Sequence, residues 1–388
     1  MVVIINNICI KTYKCLYIYL TYIQNMKGLT AIIQTTENCN LACKYCYISD
    51  ERKDMNIEVL KTSIDKLSKA IDKGGRLRIT WHGGEPLSRG LDFYLYAQEL
   101  LSQHKNGIHV SQGMQTNGTL VDEEVIDFSK KHDIGIGLSI DGPEDIHNAN
   151  RIYHKGGGSF TRAMESLNLL RKHQLPTGAI SVFTKKSIGR EEDIYGFFKE
   201  NKLNVQINPL ALLGKSKRNE EEIGVTSKEY GKAMSNLFLM WFYEKNPTMK
   251  FDNFWHIMGA IATGTPTICT YSNNCCGTSY ISICPNGDVY PCNRFSWNET
   301  FLLGNIMEQN LDDMFSSDVL QEFRNRKDLK SCQPCEYHNI CNGGCSGSAY
   351  SHTNRIMSKD YYCTAIKTMF KTTEKALRTE LEKVELRG

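Results

Sequence analysis

The chain has 388 residues, 46 basic against 43 acidic side chains, and 15 cysteines. An apolar fraction of 41% and a charged fraction of 23% are ordinary globular values and exclude general disorder. A net charge of +3 is too even to point to nucleic acid or an anionic membrane as the partner. The length allows two or three domains, enough to bury a real core.

An odd cysteine count in a long chain excludes a small disulfide scaffold. Met1–Ile23 is apolar and tyrosine-rich, but Asn6, Asn7, Lys11 and Lys14 interrupt it. That pattern suits neither a signal peptide nor a spanning helix. Met26-Lys27 resembles a start, so 1–26 reads as an over-extended N-terminus, an extra strand or a membrane-surface segment. The expected compartment is a reducing cytoplasm, where clustered cysteines mean metal or catalysis.

From Leu29 to Leu210 short apolar strands alternate with helical patterns. Strands are predicted at Leu29–Thr36, Leu77–Trp81, Ile108–Gln115, Ile134–Ile140, Thr177–Phe183 and Asn204–Leu210. Helices are predicted between them, as at Asn56–Lys73, where Ile57, Leu60, Ile64, Leu67 and Ile71 keep helical spacing. Such a series implies parallel pairing in an α/β barrel or wound sheet, with the site at the strand C-terminal ends. Lys215–Glu222 reads as a solvated charged loop. Ser227–Tyr243 and Phe251–Ala262 read as helices. Thr265–Cys363 is rich in Cys, Gly, Asn and Pro, has little periodicity, and needs metal staples. Ala365–Leu386 is an amphipathic helix. The predicted division is an extension (1–26), a core (27–235), a helical bridge (236–264), a cysteine-rich unit (265–364) and a C-terminal helix (365–388).

Cys39-Asn-Leu-Ala-Cys43-Lys-Tyr-Cys46 follows the first strand. Three thiolates on one loop can hold three irons of a [4Fe–4S] cube and leave one iron open. A structural zinc loop would want four protein ligands. The triad, with Tyr45 before its last cysteine, resembles the radical S-adenosylmethionine (SAM) superfamily over about Leu29–Leu210. The resemblance implies a partial (βα)6 TIM-like barrel. It implies that SAM chelates the open iron and is cleaved to a 5′-deoxyadenosyl radical, which abstracts a substrate hydrogen. Trp81-His82-Gly83-Gly84-Glu85-Pro86 resembles the family's GGEP motif. There Gly83 and Gly84 let the backbone approach the SAM amino group and Glu85 holds the region. Gln115-Thr116-Asn117-Gly118 reads as a turn or, by resemblance, as cavity lining through Asn117. Ser139 resembles the residue bonding the SAM ribose. Arg151 resembles the arginine pairing with the SAM carboxylate, which suits a bidentate guanidinium. Tyr45 is grouped with these cofactor-binding residues, while His82 and His147 read as structural.

The downstream run Cys276-x₁₀-Gly287-x₄-Cys292, then Cys332-x₂-Cys335-x₅-Cys341-x₃-Cys345 and Cys363, resembles the SPASM extension of one radical SAM branch. That implies two auxiliary [4Fe–4S] clusters. Cys269, Cys276, Cys292 and Cys345 would hold the first, and Cys332, Cys335, Cys341 and Cys363 the second. Cys275 competes with Cys276 as the ligand. Cys284, Cys9 and Cys15 read as spare thiols. Eight zinc ligands in two sites is the competing reading.

A SPASM domain implies action on a peptide or protein side chain. The leading expectation is oxidative cross-linking, thioether or C–C, in a ribosomally made precursor peptide. The alternative is an anaerobic sulfatase maturase making formylglycine from Cys or Ser. Against it, Asn293 stands where those enzymes carry an aspartate after the cysteine, and an amide is no general base near pH 7. A non-catalytic iron–sulfur carrier or a zinc-stapled binding protein would not need Gly83–Pro86, Ser139 or Arg151. Asp141, Tyr280 and Tyr290 are the candidate bases. The expected partners are the substrate, an external electron donor such as flavodoxin or ferredoxin, and a separate leader-peptide-binding protein, since the 25 residues before Met26 are too few for a leader-gripping domain.

Overall fold

The computed structural model describes residues 28–48, 52–104, 107–245, 247–273, 276–296 and 298–385. The expected N-terminal extension with Cys9 and Cys15 lies outside these residues, as does Cys275.

Six strands alternate with helices as the periodicity predicts. They are β1 (Gly28–Thr36), β2 (Arg76–Gly83), β3 (His109–Thr116), β4 (Ile134–Ser139), β5 (Thr177–Phe183) and β6 (Asn204–Pro209). Each pairs in parallel with the next. Helix starts are capped by the chain itself. Asn56 accepts from the Val59 N–H at 2.8 Å and Asp122 from the Val125 N–H at 2.9 Å, satisfying donors that the helix leaves open.

Strand alternation sorts the two faces. Leu29, Ala31 and Ile33 of β1, Leu77, Ile79 and Trp81 of β2, and Ile134, Ile136 and Leu138 of β4 join the main apolar core under the helices. Neighbouring residues point to the opposite face, which therefore carries Gln34, His82, Gln115, Ser139, Gln206 and Asn208. That face is polar toward the strand C-terminal ends, where parallel α/β enzymes hold their ligands.

The cysteine-rich region departs from expectation. It supplies β7 (Tyr280–Ile283), β8 (Asp288–Tyr290) and β9 (Gly304–Asn305), and the sheet runs β6-β5-β4-β3-β2-β1-β7-β8-β9. β7 pairs in parallel with β1 and covers an edge that would otherwise offer unpaired backbone groups. Ile281 and Ile283 enter the main core, and Gln34 Nε2 donates to Ser282 Oγ at 2.9 Å across the pairing. A strand of four residues is too short for periodicity to register.

Lys215–Glu222 is also not a plain loop. It forms two helical turns, Lys215–Arg218 and Glu220–Ile223, that hold the first cysteine loop. Asn219 Nδ2 donates to Lys44 O at 2.8 Å, the Lys215 N–H to Cys46 O at 3.0 Å, and Lys44 pairs with Glu222. Ile223 is the apolar anchor, packed with Tyr45, Leu210 and Leu212. Farther on, a Cβ at Gly231 would lie 2.6 Å from Ala365 Cα. Helices Ser227–Tyr243 and Cys363–Glu385 therefore touch backbone to backbone, which places Cys363. Among the described residues no helix is long and apolar enough to cross a membrane.

Candidate active site

Cys39, Cys43 and Cys46 lie on the loop that leaves β1. The loop is stitched to the segment after β4, with the Ala42 N–H donating to Ile152 O at 2.7 Å and the Lys44 N–H to Asn150 O at 3.0 Å. Burial first, then repulsion from Glu85 and Cys46, pushes Cys39 up to about 11; burial, with repulsion from Cys46 and Cys39, pushes Cys43 up to about 12. Thiols this close feel each other's charge and suit a cationic occupant that takes them as thiolates.

Glu85 ties the ends of β2 and β3 to this loop. It is fully buried. Its carboxylate accepts from Thr116 Oγ1 at 2.7 Å, the Asn117 N–H at 2.8 Å and the Leu87 N–H at 3.0 Å. Burial still pushes its pKa up to about 7. Asn117 Nδ2 in turn donates to Asn40 Oδ1 at 2.9 Å and approaches Cys39 Sγ at 3.8 Å. The two glycines before Glu85 serve a nearer purpose than SAM. A Cβ at Gly83 would lie 2.2 Å from Thr36 O, and one at Gly84 2.2 Å from Asn38 O. They are required by the backbone that leads into Cys39. Gly84→Ala is therefore expected to displace Asn38 and Cys39 and to lower iron uptake by about four irons per chain. Iron assay after anaerobic reconstitution checks this; full loading of the variant would refute it.

Arg151 and Asp141 form a buried pair. Arg151 Nε donates to Asp141 Oδ2 at 3.0 Å and Nη2 to Oδ1 at 3.2 Å. Asp141 also accepts from the Tyr45 hydroxyl and, at 3.0 Å, from the Val182 N–H, and the Arg151 guanidinium lies 5.2 Å from the Tyr45 ring centre. Burial opposes the Arg151 charge, but Asp141, Tyr45 and Cys43 more than offset it, so its pKa rises. Asp141, expected as a candidate base, is thus committed on both oxygens to holding Arg151 and Tyr45. Ser139 accepts from Gln115 Nε2 at 3.0 Å. His82 and His147 are pulled down to about 4 by burial. His82 Nδ1 accepts from the Gly83 N–H at 2.7 Å, and His147 Nε2 meets Ser159 Oγ at 3.0 Å.

Downstream, two sets of cysteines lie close enough to feel one another's charge. Cys276 hydrogen-bonds with Cys269 and feels Cys345, and Cys292 feels Cys276 and Cys345. Cys341 feels Cys363, Cys332 and Cys335, and burial raises its pKa. Cys284 is fully buried, 3.6 Å from Gln34 Nε2. Tyr290, another candidate base, is sunk among Phe295, Phe301, Cys276 and Cys284. Tyr280 opens β7 on the face opposite Ile281. Both groups are rich in thiols, the donors of iron–sulfur clusters, and Asp360 and His338 line the second beside its cysteines. Arg326 is fully buried beside them with its Nε lacking any acceptor, a donor that a cluster sulfur would satisfy.

Two contributors escaped the sequence reading, Tyr47 and Arg294. Asn293 Nδ2 donates to the Tyr47 hydroxyl, and Asn293 Oδ1 accepts from Cys292 Sγ at 3.2 Å. One hydrogen bond thus joins the residue after Cys46 to the residue after Cys292. Tyr47 directly follows Cys46 and Arg294 lies two positions after Cys292, and that nearness was the available signal.

Parallel strands, a three-thiol loop at their C-terminal ends and a thiol-rich extension of the same sheet define a cluster-bearing α/β enzyme. The radical SAM superfamily model matches residues 33–197, and the SPASM model, an iron-sulfur cluster-binding domain, matches residues 275–336. The chain is 30% identical over 341 residues to a serine-type anaerobic sulfatase-maturating enzyme of Bacteroides thetaiotaomicron, covering 81% of each chain. It is 28% identical over 361 residues to a cysteine-type anaerobic sulfatase-maturating enzyme of Clostridium perfringens, covering 89% of this chain and 96% of that one. A solved structure described as native anSMEcpe with bound AdoMet and Kp18Cys peptide superposes with a TM-score of 0.82 at 26% identity, over 92% of this chain and 99% of the other. The chain belongs to the radical SAM superfamily, in the SPASM-bearing family that includes the anaerobic sulfatase-maturating enzymes. It is a radical SAM enzyme that uses a [4Fe–4S] cluster with SAM, and its SPASM domain binds additional iron–sulfur clusters.

Proposed function

We propose that the enzyme oxidises a side chain of a peptide or protein, in the manner of the maturases it resembles. When bound, the cluster–SAM pair supplies a 5′-deoxyadenosyl radical that takes one hydrogen atom. Cys39, Cys43 and Cys46 would hold that cluster. Gly83, Gly84, Glu85, Asn117, Ser139, Arg151 and Tyr45 shape the SAM site, with Arg151 held in place by Asp141. Cys269, Cys276, Cys292 and Cys345 would hold one auxiliary cluster, and Cys332, Cys335, Cys341 and Cys363 the other. The observation that carries the reading is the Tyr47–Asn293 hydrogen bond. It ties the first cysteine loop to the Cys292 segment, so the two thiol-bearing regions that such an oxidation would use lie side by side.

The similarity reverses the order of the two peptide readings. The reported relatives are maturases, so formylglycine formation from Cys or Ser now leads. Cross-linking is the second reading, and Asn293 favours it because an amide cannot take the proton that an aspartate would. The substrate would be a peptide segment, by likeness to the peptide-bound relative. A low-potential donor of the flavodoxin or ferredoxin class would supply electrons. Thiol-held clusters suit a reducing cytoplasm.

Anaerobic incubation with a cysteine-bearing sulfatase peptide, and with its serine counterpart, separates the readings. An aldehyde in the product supports maturation. Loss of two hydrogens with no aldehyde, on a precursor peptide, supports cross-linking. Asn293→Asp is expected to raise aldehyde formation by about 10²-fold, the low end for an added general base. A wild-type enzyme already as fast as the variant would show that this position is not where the base acts.

A further inference from the structure

Arg326 has no exposed surface. Its hydrogen bonds go only to carbonyl oxygens, from Nη1 to Ser358 O at 3.0 Å and from Nη2 to Gly343 O at 2.6 Å and Gly344 O at 3.4 Å. Its Nε finds no acceptor. A cation buried on neutral acceptors is costly unless an anion faces it. Asp360 lies close enough to feel its charge, yet that carboxylate accepts from the Cys345 and Tyr362 N–H groups, both at 2.7 Å. The other groups that feel Arg326 are Cys345, Cys276 and Cys332.

Arg294 approaches the same thiols from another element. Its Nη1 donates to Cys345 Sγ at 3.3 Å and to Ser348 Oγ at 3.4 Å. A Cβ at Gly347 would lie 2.8 Å from Arg294 Cδ and 3.6 Å from Cys345 Sγ, so the glycine makes room for the guanidinium to reach the sulfur. Cys292 and Cys269 also feel its charge. Both guanidiniums therefore face the group joined to the first cysteine loop through Asn293 and Tyr47, Arg294 through Cys345, Cys292 and Cys269 and Arg326 through Cys345 and Cys276, with Cys332 of the other group also near Arg326.

We propose that Arg294 and Arg326 are positioning residues that offset the negative charge of the cluster held by these four thiolates and raise its reduction potential. The proposal rests on the ligand reading given above. Four thiolates leave an oxidised [4Fe–4S] cluster with net negative charge, and reduction adds one more. Buried cations and N–H···S bonds favour the reduced form, and low surrounding polarity strengthens them.

The test uses the full chain, reconstituted anaerobically, with Cys39, Cys43 and Cys46 changed to alanine so that only the auxiliary signals remain. Potentiometric titration followed by electron paramagnetic resonance reads each cluster. Arg294→Gln and Arg326→Gln are each expected to lower the reduction equilibrium constant of one cluster about tenfold, a shift of about 59 mV for one electron. Arg294→Lys and Arg326→Lys should restore most of it. A purely structural role would lower the melting temperature of the Gln and Lys variants alike and leave the potential unmoved. If Arg326→Gln holds no iron, the Arg294 pair decides alone. Unmoved potentials in loaded Gln variants overturn the proposal. Cys345→Ala keeps the ligand reading separate. It should abolish the shifted signal, and persistence of that signal would overturn the ligand reading together with the proposal.

Discussion

With Cys39, Cys43 and Cys46 all changed to alanine, the protein is expected to form no 5′-deoxyadenosine while keeping about 8 of about 12 irons per chain. The three thiols sit on one loop and feel one another's charge. They are separated in chain from Cys269–Cys363, which lie on the segment before β7, on β7–β9 and on the segments after them. Removing the first group therefore leaves the others' packing intact. Anaerobic reconstitution with SAM and a strong reductant, followed by chromatography for 5′-deoxyadenosine and by iron assay, reads both quantities. Residual SAM cleavage, or loss of all iron, would sink the separation of roles. Zinc in place of iron in the unmodified protein would sink the cluster reading outright.

The second large effect lies at the buried pair. Arg151→Met should destabilise the fold by about 3–5 kcal/mol, the range for stripping one partner from a buried ion pair. Asp141 has no exposed surface, and Arg151 is only 7% exposed. Without the guanidinium, the carboxylate keeps just the Tyr45 hydroxyl and the Val182 N–H. Removing both charges, as in Arg151→Met with Asp141→Leu, should recover part of the loss, because a buried pair can be exchanged for apolar packing at small net cost. Anaerobic denaturant unfolding measures both variants. A loss below about 1 kcal/mol for Arg151→Met would place that pair among solvent-screened surface bridges instead. SAM binding should fail in both variants if the arginine also meets the SAM carboxylate, which separates the binding role from stability.

Much of the core was legible because its signals are local. Leu60, Ile64 and Leu67 repeat at helical spacing and are fully buried, and the β1–β6 order follows from short apolar runs between helices. The cysteine runs were legible by spacing and their ligand sets by resemblance, and in the structure several of these cysteines lie close enough to feel one another's charge. Less local features were not. The Gly83–Gly84 pair could be seen as a motif, but that any Cβ there would meet Thr36 and Asn38 depends on how closely β2 approaches the backbone after β1. The Lys215–Glu222 run looked like a solvated surface, since nothing in its composition shows Asn219 reaching Lys44 O across more than 170 positions of chain.

The sequence by itself determined the chemistry of this protein. Which residues can bind iron, and which turn follows which strand, depend on residue type and short spacing. Only the tertiary structure decided how the three thiol groups relate. β7 adds to β1, Asn293 meets Tyr47, and Arg294 and Arg326 close on Cys345, all through pairings between distant segments. The physical reason is that backbone pairing and buried charge are settled by which surfaces meet in space. A motif names the groups that need a partner, and the fold alone supplies the partner.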